Sequence, residues 1–224
     1  MVVKRFLSFL NTYISYVTIN QRKECDPMEN SNITYYFDMD GVIAEWNENA
    51  SIEEVSSPGY FRKRKPEEKV IELMHKLKAE GYGVKILSAV YENDYSAKDK
   101  EAWIEQNGLS DIDHIFVPYG KDKNDYIDNS EDKTAVLIDD FGKNLTAWQN
   151  AGHTAVKFFN GINDRPKFLE EDGKLTIKHD TWTGFSIDHK MPVFTMLITL
   201  TGITAEIAKR QQEKKRKPPT RLIH

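Results

Sequence analysis

Residues 33–44 read Ile33-Thr34-Tyr35-Tyr36-Phe37-Asp38-Met39-Asp40-Gly41-Val42-Ile43-Ala44. A run of β-branched and aromatic residues that breaks at once into two acids and a glycine is the pattern of a buried strand ending in a tight polar turn. The pattern recurs. Val84-Lys85-Ile86-Leu87 runs into Ser88, and His114-Ile115-Phe116-Val117 leads to a loop carrying Lys121 and Lys123. Thr134-Ala135-Val136-Leu137-Ile138 runs into Asp139-Asp140, and one more strand spans Thr154 to Phe158. Helical patterns lie between them. Residues 66–80 carry a Pro66 start, an apolar stripe of Val70, Ile71, Met74 and Leu77, and a Gly81 stop. A second helix is expected near 97–107, closed by Asn107-Gly108, and a third through Leu145 and Trp148 to Gly152. Alternating strands and helices with short connections predict an α/β fold with a mainly parallel sheet.

The chain has 224 residues, 39% hydrophobic and 29% charged, with a mean hydropathy of -0.60. That length buries a core without staples, and the balance argues against disorder and against membrane spans. One cysteine, Cys25, excludes a disulfide framework and a multi-cysteine metal cluster. It fits a reducing compartment, and a cytoplasmic protein is expected. The net charge of -4 does not suggest a nucleic-acid binder. Residues 209–221 nonetheless hold seven basic side chains against Glu213 alone, which leaves the rest of the chain at -10. A fraying, solvated helix end accounts for this tail more simply than an anionic partner does.

In parallel sheets ligands bind beyond the carboxyl ends of the strands. Acids, a hydroxyl and a lysine all stand there in this sequence. Clustered carboxylates raise one another's pKa unless a cation sits among them. Oxygen ligands without His or Cys suit Mg²⁺, which shares its shell with phosphate. Ser88 can donate to that phosphate and a lysine can balance its charge. One carboxylate can then attack phosphorus, and another two residues on can serve as acid and base. The acid pair Asp139-Asp140 comes late in the chain, which argues against a receiver domain, where such a pair comes early.

Phe37-Asp38-Met39-Asp40-Gly41-Val42 resembles the DxDG(V/T) signature of the haloacid dehalogenase (HAD) superfamily of phosphatases. Ser88, Lys121 or Lys123, and Leu137-Ile138-Asp139-Asp140 resemble its second, third and fourth motifs, in order and spacing. Asp38-Met39-Asp40-Gly41-Val42-Ile43-Ala44 and Pro58-Gly59-Tyr60-Phe61 are similar to the 5'(3')-deoxyribonucleotidase group and its bacterial and phage relatives. The likeness covers about residues 32–160. It implies a HAD-like Rossmannoid three-layer sandwich with a central mainly parallel sheet and a short cap insertion. It also implies a Mg²⁺-dependent 5'-nucleotidase acting through an aspartyl-phosphate. Asp38 would be the nucleophile and a Mg²⁺ ligand. Asp40 would be the acid/base and would bind the metal through its carbonyl. Asp139 or Asp140 would complete the metal site. Ser88 and a lysine, Lys123 in preference to Lys121, would hold the phosphate.

Only about residues 44–65 are left for a cap, shorter than the helical insert of the mammalian-type enzymes. A second chain in a homo-oligomer is one way to cover such a site. Trp46, Tyr60 and Phe61 lie in this stretch, and Tyr91 and Asn93 follow Ser88. Each aromatic either packs the cap or stacks on a base. Arg62, Lys63, Arg64 and Lys65 are a solvated lead-in or collect anions. The expected organisation is an N-terminal segment at 1–30, a core at 31–160, and a C-terminal hairpin and helix with a basic tail at 161–224. In the first segment, Phe6, Leu10, Ile14 and Val17 recur at helical spacing, and Met28 is an alternative start. The hairpin is expected around Trp182-Thr183-Gly184, flanked by His179 and His189, which read as structural. The expected substrate is a small phosphate ester, a nucleotide before others. The alternatives are another small ester, a polynucleotide end, or a catalytically silent module of the same fold.

Overall fold

A computed structural model describes residues 30, 32–93, 95–128, 134–162, 167–171, 174–178 and 182–216. The expected helix at the N-terminus, Cys25, Met28, His179 and the chain beyond 216 lie outside these residues. Strand β1 (Ile33–Phe37) is the centre of the architecture. The chain continues through helix α1 (Ile52–Val55), α2 (Glu68–Ala79), β2 (Gly83–Val90), α3 (Ser96–Gln106), β3 (Asp113–Pro118), β4 (Thr134–Asp139), α4 (Gly142–Asn150) and β5 (Thr154–Phe159). It ends with β6 (Lys167–Glu171), β7 (Lys174–Lys178), β8 (Phe185–Asp188) and α5 (Val193–Arg216). Short 3-10 turns span Phe61–Lys63 and Lys123–Tyr126.

Six strands form one sheet in the order β3-β2-β1-β4-β5-β8, with every neighbouring pair parallel. Parallel sheets of this kind are covered on both faces, and the strands read accordingly. Ile33, Tyr35 and Phe37 of β1 join Val84, Ile86, Val136, Ile138, Val156 and Phe158 in one apolar layer. It packs against Val70, Leu73, Met74 and Leu77 of α2, Trp103 and Ile104 of α3, and Met196, Leu200 and Ile203 of α5. The alternate residues Tyr36, Leu87, Ala135, Leu137 and Ala155 face the other way, onto Leu145 and Trp148 of α4. The period of two along each strand thus feeds two cores. The result is an α/β sandwich of helix, parallel sheet and helix.

Three local readings shift. Pro66 does not open α2. The Glu67 N–H donates to the Ile43 carbonyl at 2.8 Å, Pro66 is bridged to Ala44, and the helix starts at Glu68. Residues 182–184 do not turn a hairpin. They lead into β8, which adds to the main sheet beside β5 because Ile187 buries completely in the first core. The antiparallel pair lies earlier and joins β6 to β7. The core also does not close at residue 160. The Tyr35 hydroxyl, on the central strand, donates to the Leu200 carbonyl or meets the Thr204 hydroxyl, each at 3.1 Å, and Met196 and Leu200 are fully buried. Among the described residues no helix is long and apolar enough to cross a membrane.

Helix α5 is therefore part of the first core. Leu200→Ala should destabilise the protein by about 2–5 kcal/mol, the usual cost of such a cavity. Denaturant unfolding checks this, and a loss below about 1 kcal/mol would mean that α5 does not dock on the sheet.

Candidate active site

Strands β1 and β4 lie side by side with Phe37 opposite Ile138. Their carboxyl ends therefore deliver Asp38 and Asp139 to the same edge, and the Asp38 N–H bonds the Ile138 carbonyl at 2.9 Å. Asp140 follows. One carboxylate oxygen from each of Asp38, Asp139 and Asp140 lies within 4.8 Å of the others, and all three residues are buried. Three buried carboxylates without a His or Cys could hold an oxygen-preferring cation.

Protein donors surround this cluster. The buried Lys123 ammonium lies 2.8 Å from both Asp38 Oδ1 and Asp139 Oδ2. Burial opposes its charge, but Asp139 and Asp38 outweigh that and raise its pKa. The two oxygens of Asp139 also accept from Asn144 Nδ2 at 2.9 Å and from the Phe141 N–H at 2.7 Å. Burial nonetheless lifts the Asp139 carboxyl above its ordinary range, with Lys123 pulling down and Asp38 pushing up. Asp38 Oδ1 takes its own bond from the Met39 N–H at 2.8 Å. Asn160 Nδ2 donates to Asp140 Oδ2 at 2.7 Å and to the Gly41 carbonyl at 2.9 Å. The buried Lys157 donates to the Asp140 carbonyl at 2.7 Å. Gly41 has φ +82, and a Cβ there would stand 2.2 Å from Asp140 Oδ2. Only glycine lets the turn after β1 approach the acid this closely.

Asp40 looks the other way, toward β2. Its carboxylate lies 2.5 Å from Lys100 Nζ, a side chain with no solvent exposure. The same ammonium donates to Ser88 Oγ at 2.9 Å and to the Ala89 carbonyl at 2.7 Å, which uses all three of its protons. Burial raises the Asp40 pKa, Lys100 lowers it, and Asp38 adds to the rise. Among the site's buried lysines, Lys123 lies beside the triad and Lys100 joins Asp40 to Ser88.

The segment 44–65 lies against this rim. Ser51 caps α1 with a reciprocal bond to Glu54. Val55, Tyr60 and Phe61 bury together, with Trp46, Ala50 and Tyr91 packed on them. Helix α3 pins the segment twice: Asp99 Oδ2 accepts from the Gly59 N–H at 2.6 Å, and Trp103 Nε1 donates to the Arg64 carbonyl at 2.7 Å. The Phe61 ring centre is 4.5 Å from Lys100 Nζ. Phe61 stacks on Tyr91, and Tyr91 stacks on the exposed Tyr119 at 4.7 Å.

Asp38, Asp139, Asp140 and Lys123 meet as the sequence suggested, and Asp40 and Ser88 meet through Lys100. Lys121 does not join them: it is exposed and sits in a turn, its N–H on the Pro118 carbonyl. Asn93 is used locally, its Oδ1 accepting from the N–H groups of Tyr95 and Ser96 at the start of α3. The sequence reading missed Lys100, Asn144, Lys157 and Asn160. Lys100 left a signal. Ser96, Asp99, Lys100, Trp103 and Ile104 form the buried stripe of α3, and a lysine inside an apolar stripe needs an acidic partner. The asparagines left none, because only the fold brings residues 144 and 160 to the acids.

No family model matches the chain and no curated protein matches it, so what these side chains can do follows from their own chemistry. A cation that binds the triad relieves its repulsion only in the folded state. Titrating Mg²⁺ to about 100 times its dissociation constant should therefore stabilise the protein by about 2.7 kcal/mol. Thermal melts would show a rise of several degrees, and no rise with any divalent cation would exclude a metal site there. Gly41→Ala should abolish that rise by pushing Asp140 aside.

Proposed function

We propose that this chain is a Mg²⁺-dependent phosphomonoesterase of the HAD type, with nucleoside monophosphates as its substrate class. The observation that carries this reading is the pairing of two units on one rim. Asp38, Asp139 and Asp140 meet around Lys123, and Asp40 and Ser88 share Lys100. The first unit fits a hard cation and a nucleophile. The second fits an acid/base and a phosphate clamp. The aromatic stretch from Phe61 through Tyr91 to Tyr119 supports a flat leaving group.

Mg²⁺ held by Asp38, Asp139 and Asp140 would offset the charge of the phosphate and the carboxylates. Ser88 and Lys123 orient the phosphate, Lys123 with the proton its two acids leave over, while Lys100 holds Ser88 and Asp40 in place. An Asp38 oxygen attacks phosphorus, the ester P–O bond breaks, and Asp40 passes its proton to the leaving oxygen. Burial keeps that proton on Asp40 more readily than on an ordinary aspartate. Asp40 then takes a proton from water, the water oxygen attacks the same phosphorus, and the bond to Asp38 breaks. Phosphate leaves and both carboxyls return to their starting state.

A panel of phosphomonoesters with Mg²⁺ tests the reading. Nucleoside monophosphates should turn over ahead of sugar phosphates, and the reverse order would remove the nucleotide assignment. Asp38→Asn should abolish turnover with the fold retained, and near-wild-type activity in that variant would sink the covalent mechanism. Asp40→Asn should lower kcat by about 10²–10⁴-fold, the usual range for a lost acid/base. A folded wild-type protein with no turnover of any ester, p-nitrophenyl phosphate included, would point instead to a silent binding module.

A further inference from the structure

Two buried donors near Asp40 have nothing to bond. The hydroxyl of Tyr60 and Nε of Arg64 are sealed from solvent, and neither has a hydrogen-bond partner among the described residues. Tyr60 is only 8% exposed. The Arg64 guanidinium carbon lies 4.4 Å from the centre of the Tyr60 ring, so both donors belong to one stacked pair. Buried polar groups are nearly always paired, and an orphan is costly to keep. A third orphan, Trp148 Nε1, lies across the sheet in the second core and has no such company.

The pair sits beside the chemistry. Tyr60 packs edge-on to Phe61 at 5.1 Å, Phe61 lies 4.5 Å from Lys100 Nζ, and Lys100 holds Asp40. Burial raises the Tyr60 hydroxyl's pKa, Arg64 lowers it, and the charges of Asp40 and Glu54 add to the rise. The backbone around the pair is fixed at both ends, at Gly59 by Asp99 and at Arg64 by Trp103. The donors are therefore held in place before any ligand arrives, which is what a preorganised subsite requires.

A phenol O–H and a guanidinium N–H both donate, and the guanidinium stays charged at any working pH. Any oxygen acceptor would satisfy them, and an anionic one would also pair with the guanidinium charge. The scissile phosphate already has Ser88 and Lys123, so the partner is a different group. The geometry points to a second anion subsite at Tyr60 and Arg64, which takes a further phosphate or carboxylate on the leaving portion of the substrate. This rests on the phosphomonoesterase reading. Within the nucleotide class it favours a nucleoside bisphosphate over a monophosphate.

The test compares kcat/KM for adenosine 3',5'-bisphosphate with that for AMP, and for 3-phosphoglycerate with that for glycerol phosphate. The first pair reads a second phosphate, the second a carboxylate. At least one doubly anionic ester should be preferred about tenfold, the scale of one hydrogen bond to a charged group. Tyr60→Phe keeps the ring and its packing. Arg64→Lys keeps the charge but lacks the Nε–H. Each should cut that preference about tenfold. Ratios near one in the wild type, or ratios that neither variant moves, would overturn the subsite. Calorimetric titration of the same four esters into Asp38→Asn separates the two readings. If the wild type hydrolyses nothing, yet the doubly anionic ester still binds more tightly in a Tyr60-dependent way, the phosphatase reading falls and the subsite stands. Equal binding of both members of each pair removes the subsite whatever the turnover.

Discussion

Four carboxylates crowd the carboxyl ends of two adjacent parallel strands, and the rest of the site is arranged around that crowding. Two unit charges about 4 Å apart repel by about 1 kcal/mol in water and by about 4 kcal/mol at the effective dielectric near a protein surface. Asp38, Asp139 and Asp140 are buried within such a distance of one another. No sheet would tolerate this without compensation. Lys123 supplies part of it from the 3-10 turn after β3, and Lys100 supplies the rest for Asp40 from α3. Asn144 and Asn160 fix the acids' orientation with neutral donors. The carboxylate charge that these donors leave uncompensated is what a cation could offset.

The two lysines divide the site between them. Lys123 bonds two acids, so it sets the charge of the triad. Lys100 joins Asp40, Ser88 and the Phe61 face, so it ties the end of β1 to the end of β2 and to the segment packed beside them. That segment is short, but it is not loose. Two hydrogen bonds from α3 reach it at Gly59 and Arg64, and a cluster of aromatics fills the space beneath. One helix thus positions both a site lysine and the wall beside it, so a change on the buried stripe of α3 reaches the chemistry by two routes.

The parallel sheet was legible because its strands from Ile33–Phe37 to Thr154–Phe159 are short runs rich in β-branched and aromatic residues. The acids were legible because each follows such a run directly. Asp38 and Asp139 need only the next residue and a strand register. Lys123 was harder. It lies in a loop, where periodicity gives no orientation, and its burial between Asp38 and Asp139 separates it from the exposed Lys121. The last strand misled. Phe185–Asp188 is short, and its pairing with β5 depends on a crossover rather than on anything near Trp182.

Local pattern fixes what the backbone does over a few residues, because strand and helix periods and turn glycines act at short range. The sequence alone therefore settled the alternation of strands and helices from β1 to β5, the acids at the strand ends and the apolar stripe of α2. Only the tertiary structure decided that Lys100 meets Asp40, that Asn160 reaches Asp140 across 20 residues of chain, and that α5 returns to the central strand through Tyr35 and Leu200. Those contacts are made by side chains far apart in the chain. Their partners are chosen by burial and charge compensation, which act only once the sheet has brought them together.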